Sequence, residues 1–293
     1  MVLATKLNWH AQALQARLSA ELPGLNLQLR DRVDSTNTRL LEECGASVAA
    51  QFDPTLLVAE QQLRGRGRQG RSWQGERGAS LTFSLALALN CTDFSGLSLA
   101  VGVALADALD DAAAPRLMLK WPNDLWLVDA LRDSGQARVG RKLGGVLIET
   151  LSRGAQRIAV IGVGLNVLPL VVSESSSGVA WLQEIDARAS APNALHQIVQ
   201  PLLRALRHFE RDGFAAFQQR FQARDLLFGQ AVGAGDLHGV AQGVTSSGAL
   251  LLRSEAGPVQ HTHHIVSGEV SVRLQPRADP NPGHQTALPL AAC

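Results

Sequence analysis

An α+β fold in two domains is predicted for this 293-residue chain, and three observations carry the prediction. Leu81, Phe83, Leu85, Leu87 and Leu89 alternate with Thr82, Ser84, Ala86 and Ala88, the period of a strand with one face in the core. Leu97, Val101, Leu105 and Leu109 then recur at four-residue steps, the stripe of a helix that runs to AAAP and stops before Pro115. After DLLFGQ the texture changes to short apolar runs parted by glycine turns, GDLHGVAQGVTSSGALLLR and HHIVSGEVSVRL. Closely spaced runs of that kind predict a small all-β barrel.

The other elements follow in chain order. Ser35 in DRVDSTN is a ready N-cap for a helix beginning near Thr36. TLLVAE, RLMLKW, DLWLV, KLGGVLIE and RIAVIGVGLNV read as strands, several apolar on both faces and therefore central. Leu195, Ile198, Val199, Leu202, Leu206 and Phe209 mark a second long helix up to Phe217, with Pro201 as a start or kink. VDALRDSGQARVG and VVSESSSG read as exposed loops, and the tail after Leu274 has prolines and no periodicity, a composition that stays disordered. The expected division is an N-terminal extension over 1–29, a catalytic domain over 30–217, a β domain over 226–274 and a disordered tail over 275–293.

Composition removes several classes of function. Lys and Arg number 27 against 26 Asp and Glu, a net charge of +1, so no global field draws the chain to nucleic acid or an anionic membrane. Three cysteines with no C-x-x-C pair fit neither a disulfide framework nor a cysteine zinc site. The N-terminus has no basic region followed by an apolar run, and LTFSLALAL is far short of a membrane span. A reducing cytoplasm is the simplest home. The cluster His261, His263 and His264 lies in the β domain, away from the chemistry, and no metal site is assigned to it.

The chemistry concentrates in RGRGRQGR, Arg64 to Arg71, where four arginines stand among three glycines. Gly65, Gly67 and Gly70 spell G-x-G-x-x-G, but the dinucleotide-binding turn needs a helix to open at the third glycine. Here RSWQGERGAS leads into a strand instead. No GK[ST] follows for a Walker loop, and no helix-turn-helix or aromatic platform accompanies the arginines as an RNA-binding segment would require. Four like charges this close repel one another unless an anion visits, so an anionic ligand is the best fit. DSTN, KWPND, Lys142 in RKLGGVLIE, and GVGLN each have an ordinary structural reading as cap, turn, strand end and strand terminus.

Taken in order, DSTN, AEQQLRGRGRQGRSW, KWPNDLW, RKLGGVLIE and GVGLN resemble the biotin protein ligases, from about Arg30 to Phe217, and SGEVSVRL is similar to the close of that family's C-terminal domain. The resemblance implies a catalytic domain related to class II aminoacyl-tRNA synthetases followed by an SH3-like barrel. It implies biotin and ATP with Mg²⁺ as reactants, biotinyl-5′-AMP as intermediate, and a biotin carboxyl carrier protein as acceptor. Such a reaction uses no enzyme nucleophile, in keeping with a chain that has no G-x-S-x-G elbow. By the same resemblance Arg66, Gly67 and Arg68 lie against biotin and the adenylate as a mobile lid, and Lys142 reaches the phosphate and the biotin carboxyl oxygen. Ser35, Thr36, Asn37 and Gln62 satisfy the polar groups of biotin. Trp73, Asn123 and Asn166 fall on the nucleotide side, and Asp124 is either a metal-linked carboxylate or an acceptor for the loop arginines. About 30 residues precede DSTN, too few for the winged helix-turn-helix of repressor-type members, so a monofunctional ligase without operator binding is expected, with a homodimer left open. A lipoate or octanoate transferase of related fold and an arginine-loop RNA binder are the alternatives.

Overall fold

The computed structural model describes residues 7–46, 52–129, 140–154, 156–169, 178–254, 261–268 and 270–272. The tail after Leu274 and most of the two polar loops lie outside them. In chain order the strands are β1 (Asn26–Val33), β2 (Thr55–Gln62), β3 (Gly65–Arg66), β4 (Ser72–Trp73), β5 (Ser80–Ala88), β6 (Leu117–Lys120), β7 (Asp124–Val128), β8 (Gly140–Arg153), β9 (Gln156–Asn166), β10 (Ala231–Ala234), β11 (Leu237–Val244), β12 (Leu250–Ser254), β13 (Thr262–Ile265) and β14 (Ser271–Val272). The helices are α1 (Ala11–Glu21), α2 (Thr36–Ala46), α3 (Leu97–Leu109), α4 (Ala191–Asp212) and α5 (Gln218–Ala223). Seven strands form one sheet in the order β1-β2-β5-β9-β8-β7-β6, and five form a C-terminal sheet in the order β13-β12-β11-β10-β14. Within the large sheet β1 and β2 are parallel and every other neighbouring pair is antiparallel. The architecture is α+β, as the sequence predicts.

One expectation about β5 needs correction. Its large residues Leu81, Phe83, Leu85 and Leu87 do enter the main core with α3 and α4. Its small residues Thr82, Ser84 and Ala86 are buried too, because α2 covers the opposite face, where Leu40 and Cys44 pack with Leu57, Ala86, Ile158 and Val160. The alternation therefore separates a deep layer from a shallow one; neither face meets solvent. The cleft described below opens beside α2, on that shallow layer.

The helices also begin and end differently from the sequence expectation, for local reasons. α3 stops at Leu109 rather than continuing toward Pro115, since the extended residue Asp110 turns its carboxylate onto the amides of Arg116 and Leu117 at 2.9 and 2.8 Å. α4 begins at Ala191, capped by Ser190 accepting from the Asn193 amide at 3.3 Å, and Pro201 lies inside it rather than at its start. Upstream, α1 buries Leu14 and Leu18 and joins α4 through Glu21, which accepts from Arg204 and Gln200. β1 starts at Asn26, so the sheet begins inside the stretch read as an N-terminal extension.

The C-terminal domain shares the main core through Val232, Ala241, Val244, Leu250 and Leu252, and hydrogen bonds tie it to the larger domain. Trp121 Nε1 donates to the Gly248 carbonyl at 3.0 Å, and Gln218 Nε2 donates to the Val244 carbonyl at 2.7 Å. Among the described residues no helix is long and apolar enough to cross a membrane, and no group of three or more His, Cys, Asp or Glu side chains is placed to hold a metal.

Candidate active site

At one end of the cleft the backbone turn from β1 into α2 delivers three polar side chains, all buried: Ser35, Thr36 and Asn37. Ser35 also caps α2, its hydroxyl accepting from the Thr38 amide at 3.4 Å. Thr36 donates through both its amide and its hydroxyl to Gln62 Oε1, at 2.7 and 3.0 Å. A backbone N–H can only donate, so it fixes the orientation of the Gln62 carboxamide and leaves both Nε2 protons for another partner. Asn37 gives its two protons to the Leu147 carbonyl and to Glu149, at 3.2 and 3.0 Å. The Ser84 hydroxyl stands 2.6 Å from Asn37 Oδ1 and 2.7 Å from Thr36 Oγ1 and has one proton for both. This end therefore offers a visitor the Gln62 amide as donor and oxygens of Thr36 and Asn37 as acceptors.

The floor explains the glycines of GVGLN. A Cβ on Gly162 would stand 2.3 Å from Asn37 Oδ1, and one on Gly164 would stand 2.6 Å from the Trp73 ring. Only hydrogen fits at either place. Gly162→Ala is accordingly expected to cost about 1–3 kcal/mol by overpacking, measured as a lower denaturation midpoint with unchanged slope.

The other end is cationic. β8 carries a bulge opposite Leu125 and Trp126, where Leu125 pairs with Gly144 and Trp126 with Lys142; the extra residue re-aims the chain. Lys142 uses its backbone on the segment beyond β9, its carbonyl accepting from Ala180 N at 2.9 Å, and its Nζ donates to Asp124 Oδ1 at 2.8 Å. That contact settles where Asp124 points in this structure: to the lysine, not to a loop arginine. Gly145 makes the room, since a Cβ there would stand 3.1 Å from Asp124 Oδ1. Asn123 clasps β8 in both directions, Nδ2 to the Val146 carbonyl at 2.8 Å and its own carbonyl to Val146 N at 2.9 Å.

The arginine stretch is a built hairpin over the cleft. β3 pairs antiparallel with β4, and the turn between them has Gln69 and Gly70 in the left-handed region at φ 55° and 74°. Arg66 pairs with Glu149 at 2.9 Å, and Arg68 Nη2 reaches the Gly268 carbonyl of the C-terminal sheet at 3.5 Å. Val270 from that sheet lines the same cleft. All the predicted site residues line it except Asn166, which is buried with its Nδ2 donating to the Ala180 carbonyl at 3.1 Å. Asn166 thus fastens the segment that backs Lys142 and does not reach the cleft.

With this geometry in place, similarity to known proteins becomes informative. The model of the biotin/lipoate A/B protein ligase family matches residues 29–166, and that of the biotin protein ligase C-terminal domain matches 229–273. The biotin–[acetyl-CoA-carboxylase] ligase of Paracoccus denitrificans is 31% identical over 243 residues, 77% of this chain and 93% of that one. The chain belongs to the biotin protein ligase family. Bifunctional ligase/repressor BirA of Escherichia coli is 31% identical over 272 residues, covering 89% of this chain and 79% of BirA. The biotin protein ligase of Aquifex aeolicus, solved in complex with biotin and ATP, has a TM-score of 0.65 at 29% identity, covering 85% of this chain and 98% of that one.

In this biotin protein ligase several cleft residues escaped the sequence reading. Lys120 lines the cleft with its ammonium 4.7 Å from the centre of the Trp126 ring, and it opens the KWPND stretch, so a signal for it existed. Arg71, which closes the RGRGRQGR stretch and carries no predicted site role, lines the cleft as well. Ser84 and Glu149, which back the cleft through Thr36, Asn37 and Arg66 without lining it, had no such signal, because a serine and a glutamate in an apolar strand are ordinary.

Proposed function

We propose that this chain is an ATP-dependent biotin ligase, and the observation that carries it is the pairing of two unlike ends in one cleft. A ureido ring has one carbonyl acceptor and two N–H donors. The Gln62 amide can meet the first, and the oxygens of Thr36 and Asn37 the second. A buried set of this kind rejects a ligand that leaves it unpaired, which disfavours the apolar dithiolane of lipoate. At the cationic end Lys142, Arg68 and Lys120 supply charge where a carboxylate and a triphosphate meet.

In the first half-reaction a biotin carboxylate oxygen attacks the α-phosphorus of ATP. The bond to the bridging oxygen breaks, and pyrophosphate leaves with the electron pair. Lys142 exchanges its partner Asp124 for the reacting oxygens and stabilises the charge that develops on them. In the second half-reaction the neutral amine of an acceptor lysine attacks the acyl carbon, AMP departs, and the amine gives up a proton. We assign the acceptor to a biotin carboxyl carrier protein of acetyl-CoA carboxylase, and Mg²⁺ to the incoming nucleotide, where it neutralises the triphosphate. Cytoplasm is the compartment in which MgATP and such a carrier meet. Arg66, Gly67 and Arg68 shield the acyl-adenylate from water.

A pyrophosphate-release assay with MgATP and no carrier tests the proposal. A burst with biotin and none with lipoate is the expected outcome, and a burst with lipoate alone reverses the assignment.

A further inference from the structure

Glu149 ends the RKLGGVLIE stretch, and three parts of the cleft meet at its carboxylate. Arg66 of the hairpin donates to it in a fork, Nη2 to Oε1 at 2.9 Å and Nη1 to Oε2 at 3.4 Å. Arg66 Nη1 also donates to the Thr38 hydroxyl on α2 at 3.3 Å. Asn37 Nδ2, buried at the polar end, donates to Oε2 at 3.0 Å. One carboxylate on the floor strand thus holds the hairpin above and the carboxamide beside it.

Two physical consequences follow from the chemistry of that group. An ionised carboxylate only accepts hydrogen bonds, so together with the Leu147 carbonyl it holds Asn37 with Nδ2 inward and Oδ1 toward Ser84 and the cleft. It is also the acidic partner that Arg66 has among the described residues. Without it the guanidinium, about half exposed, is free to leave the floor with its hairpin.

We propose that Glu149 is a positioning residue for the activation chemistry, setting the acceptor face of Asn37 and the closed pose of Arg66 through the same carboxylate. Its role at the polar end rests on the biotin assignment above; its hold on the hairpin does not. A glutamine at this position has nearly the same shape, but it loses the charge and can present either an oxygen or an amino group. The amide of Asn37 is then held by the Leu147 carbonyl alone. An aspartate keeps the charge and the acceptor-only character with a shorter reach.

The test compares Glu149→Gln, Glu149→Asp, Arg66→Gln and the double variant Arg66→Gln/Glu149→Gln. Hydrogen exchange of the hairpin amides is measured without ligand. Exchange over residues 64–73 should speed up about fivefold in Glu149→Gln, the effect of losing one partly exposed ion pair. The double variant should exchange no faster than Arg66→Gln alone. In steady state Glu149→Gln should raise the biotin KM about tenfold with a smaller change in kcat, and Glu149→Asp should recover part of that loss. Hairpin exchange equal to the parent's, or additive effects in the double variant, would overturn the proposal. If Glu149→Gln folds poorly, Glu149→Asp and Arg66→Gln decide the same question: hairpin exchange in the aspartate variant between that of the parent and that of Arg66→Gln supports the proposal, and parental exchange with a normal biotin KM contradicts it. A parent protein that releases no pyrophosphate with biotin defeats the ligase assignment, while the ligand-free exchange still decides the hairpin contact.

Discussion

Lys142→Ala is expected to slow formation of the acyl-adenylate by about 10²–10³-fold, the usual loss when one preorganised donor to a developing charge is removed. The geometry makes this lysine hard to replace. The bulge against β7 aims it, the segment at Ala180 holds its backbone, and Asp124 keeps its ammonium at 2.8 Å until substrate arrives. The neighbouring Lys120 stands on β6 with its ammonium 4.7 Å from the Trp126 ring centre, so it adds charge to the cleft from a different position. Single-turnover pyrophosphate release checks the prediction, and the melting temperature should stay near that of the parent because Lys142 is partly exposed. A normal rate in the alanine variant would mean that some other cation meets the phosphate.

Arg224→Ala is expected to destabilise the fold by about 3–5 kcal/mol, the cost of breaking a buried pair and stranding its partner. Arg224 is 2% exposed. Its Nε donates to Asp107 Oδ1 at 2.9 Å, and Nη1 to Asp110 Oδ2 and to the Leu117 carbonyl, each at 2.9 Å. The Asp110 side chain is itself 5% exposed and also accepts from the amides of Arg116 and Leu117 at the start of β6. One guanidinium thus ties α3, β6 and the entry to the C-terminal sheet. For a domain of this size the loss corresponds to a melting temperature roughly 10 °C lower, read by calorimetry. A shift within about 1 °C would show that the two aspartates find other partners at no cost.

Much of the fold was legible because its strongest signals are local. The stripe at Leu97, Val101, Leu105 and Leu109 is the helix found, and each apolar run named as a strand is one. What the pattern could not carry was the identity of what covers each face. Thr82, Ser84 and Ala86 are small and partly polar, which in isolation reads as a solvent face. They are buried because α2 covers that face: Ala86 packs with Leu40 and Cys44, Thr82 bonds the Ala59 carbonyl, and Ser84 meets Thr36 and Asn37. β1 stayed hidden for the converse reason. It is an edge strand whose sequence NLQLRDRV is mostly polar, and edges are under no demand to be apolar.

In the site, motifs gave the residue types, while their partners depend on contacts distant in sequence. KWPND and RKLGGVLIE point to Asp124 and Lys142 separately, but that the two neutralise each other follows from the pairing of β7 with β8. Asn166 shows the same limit from the other side. Its place in GVGLN suggested the nucleotide, yet at the end of β9 its Nδ2 is committed to the Ala180 carbonyl, although alternation puts it on the face of Gly162 and Gly164. The hairpin fold of RGRGRQGR likewise depends on Gly67 N bonding the Arg71 carbonyl at 2.7 Å, which a count of glycines and arginines does not reveal.

The most direct measurement of the proposed chemistry is to incubate the protein with biotin and MgATP, quench with acid, and analyse the bound fraction by mass spectrometry before and after adding a carrier domain. Biotinyl-5′-AMP should be present first, then vanish as biotin appears on one lysine of the carrier. A carrier that gains biotin without any adenylate forming beforehand, or an adenylate that never leaves for the carrier, would contradict it.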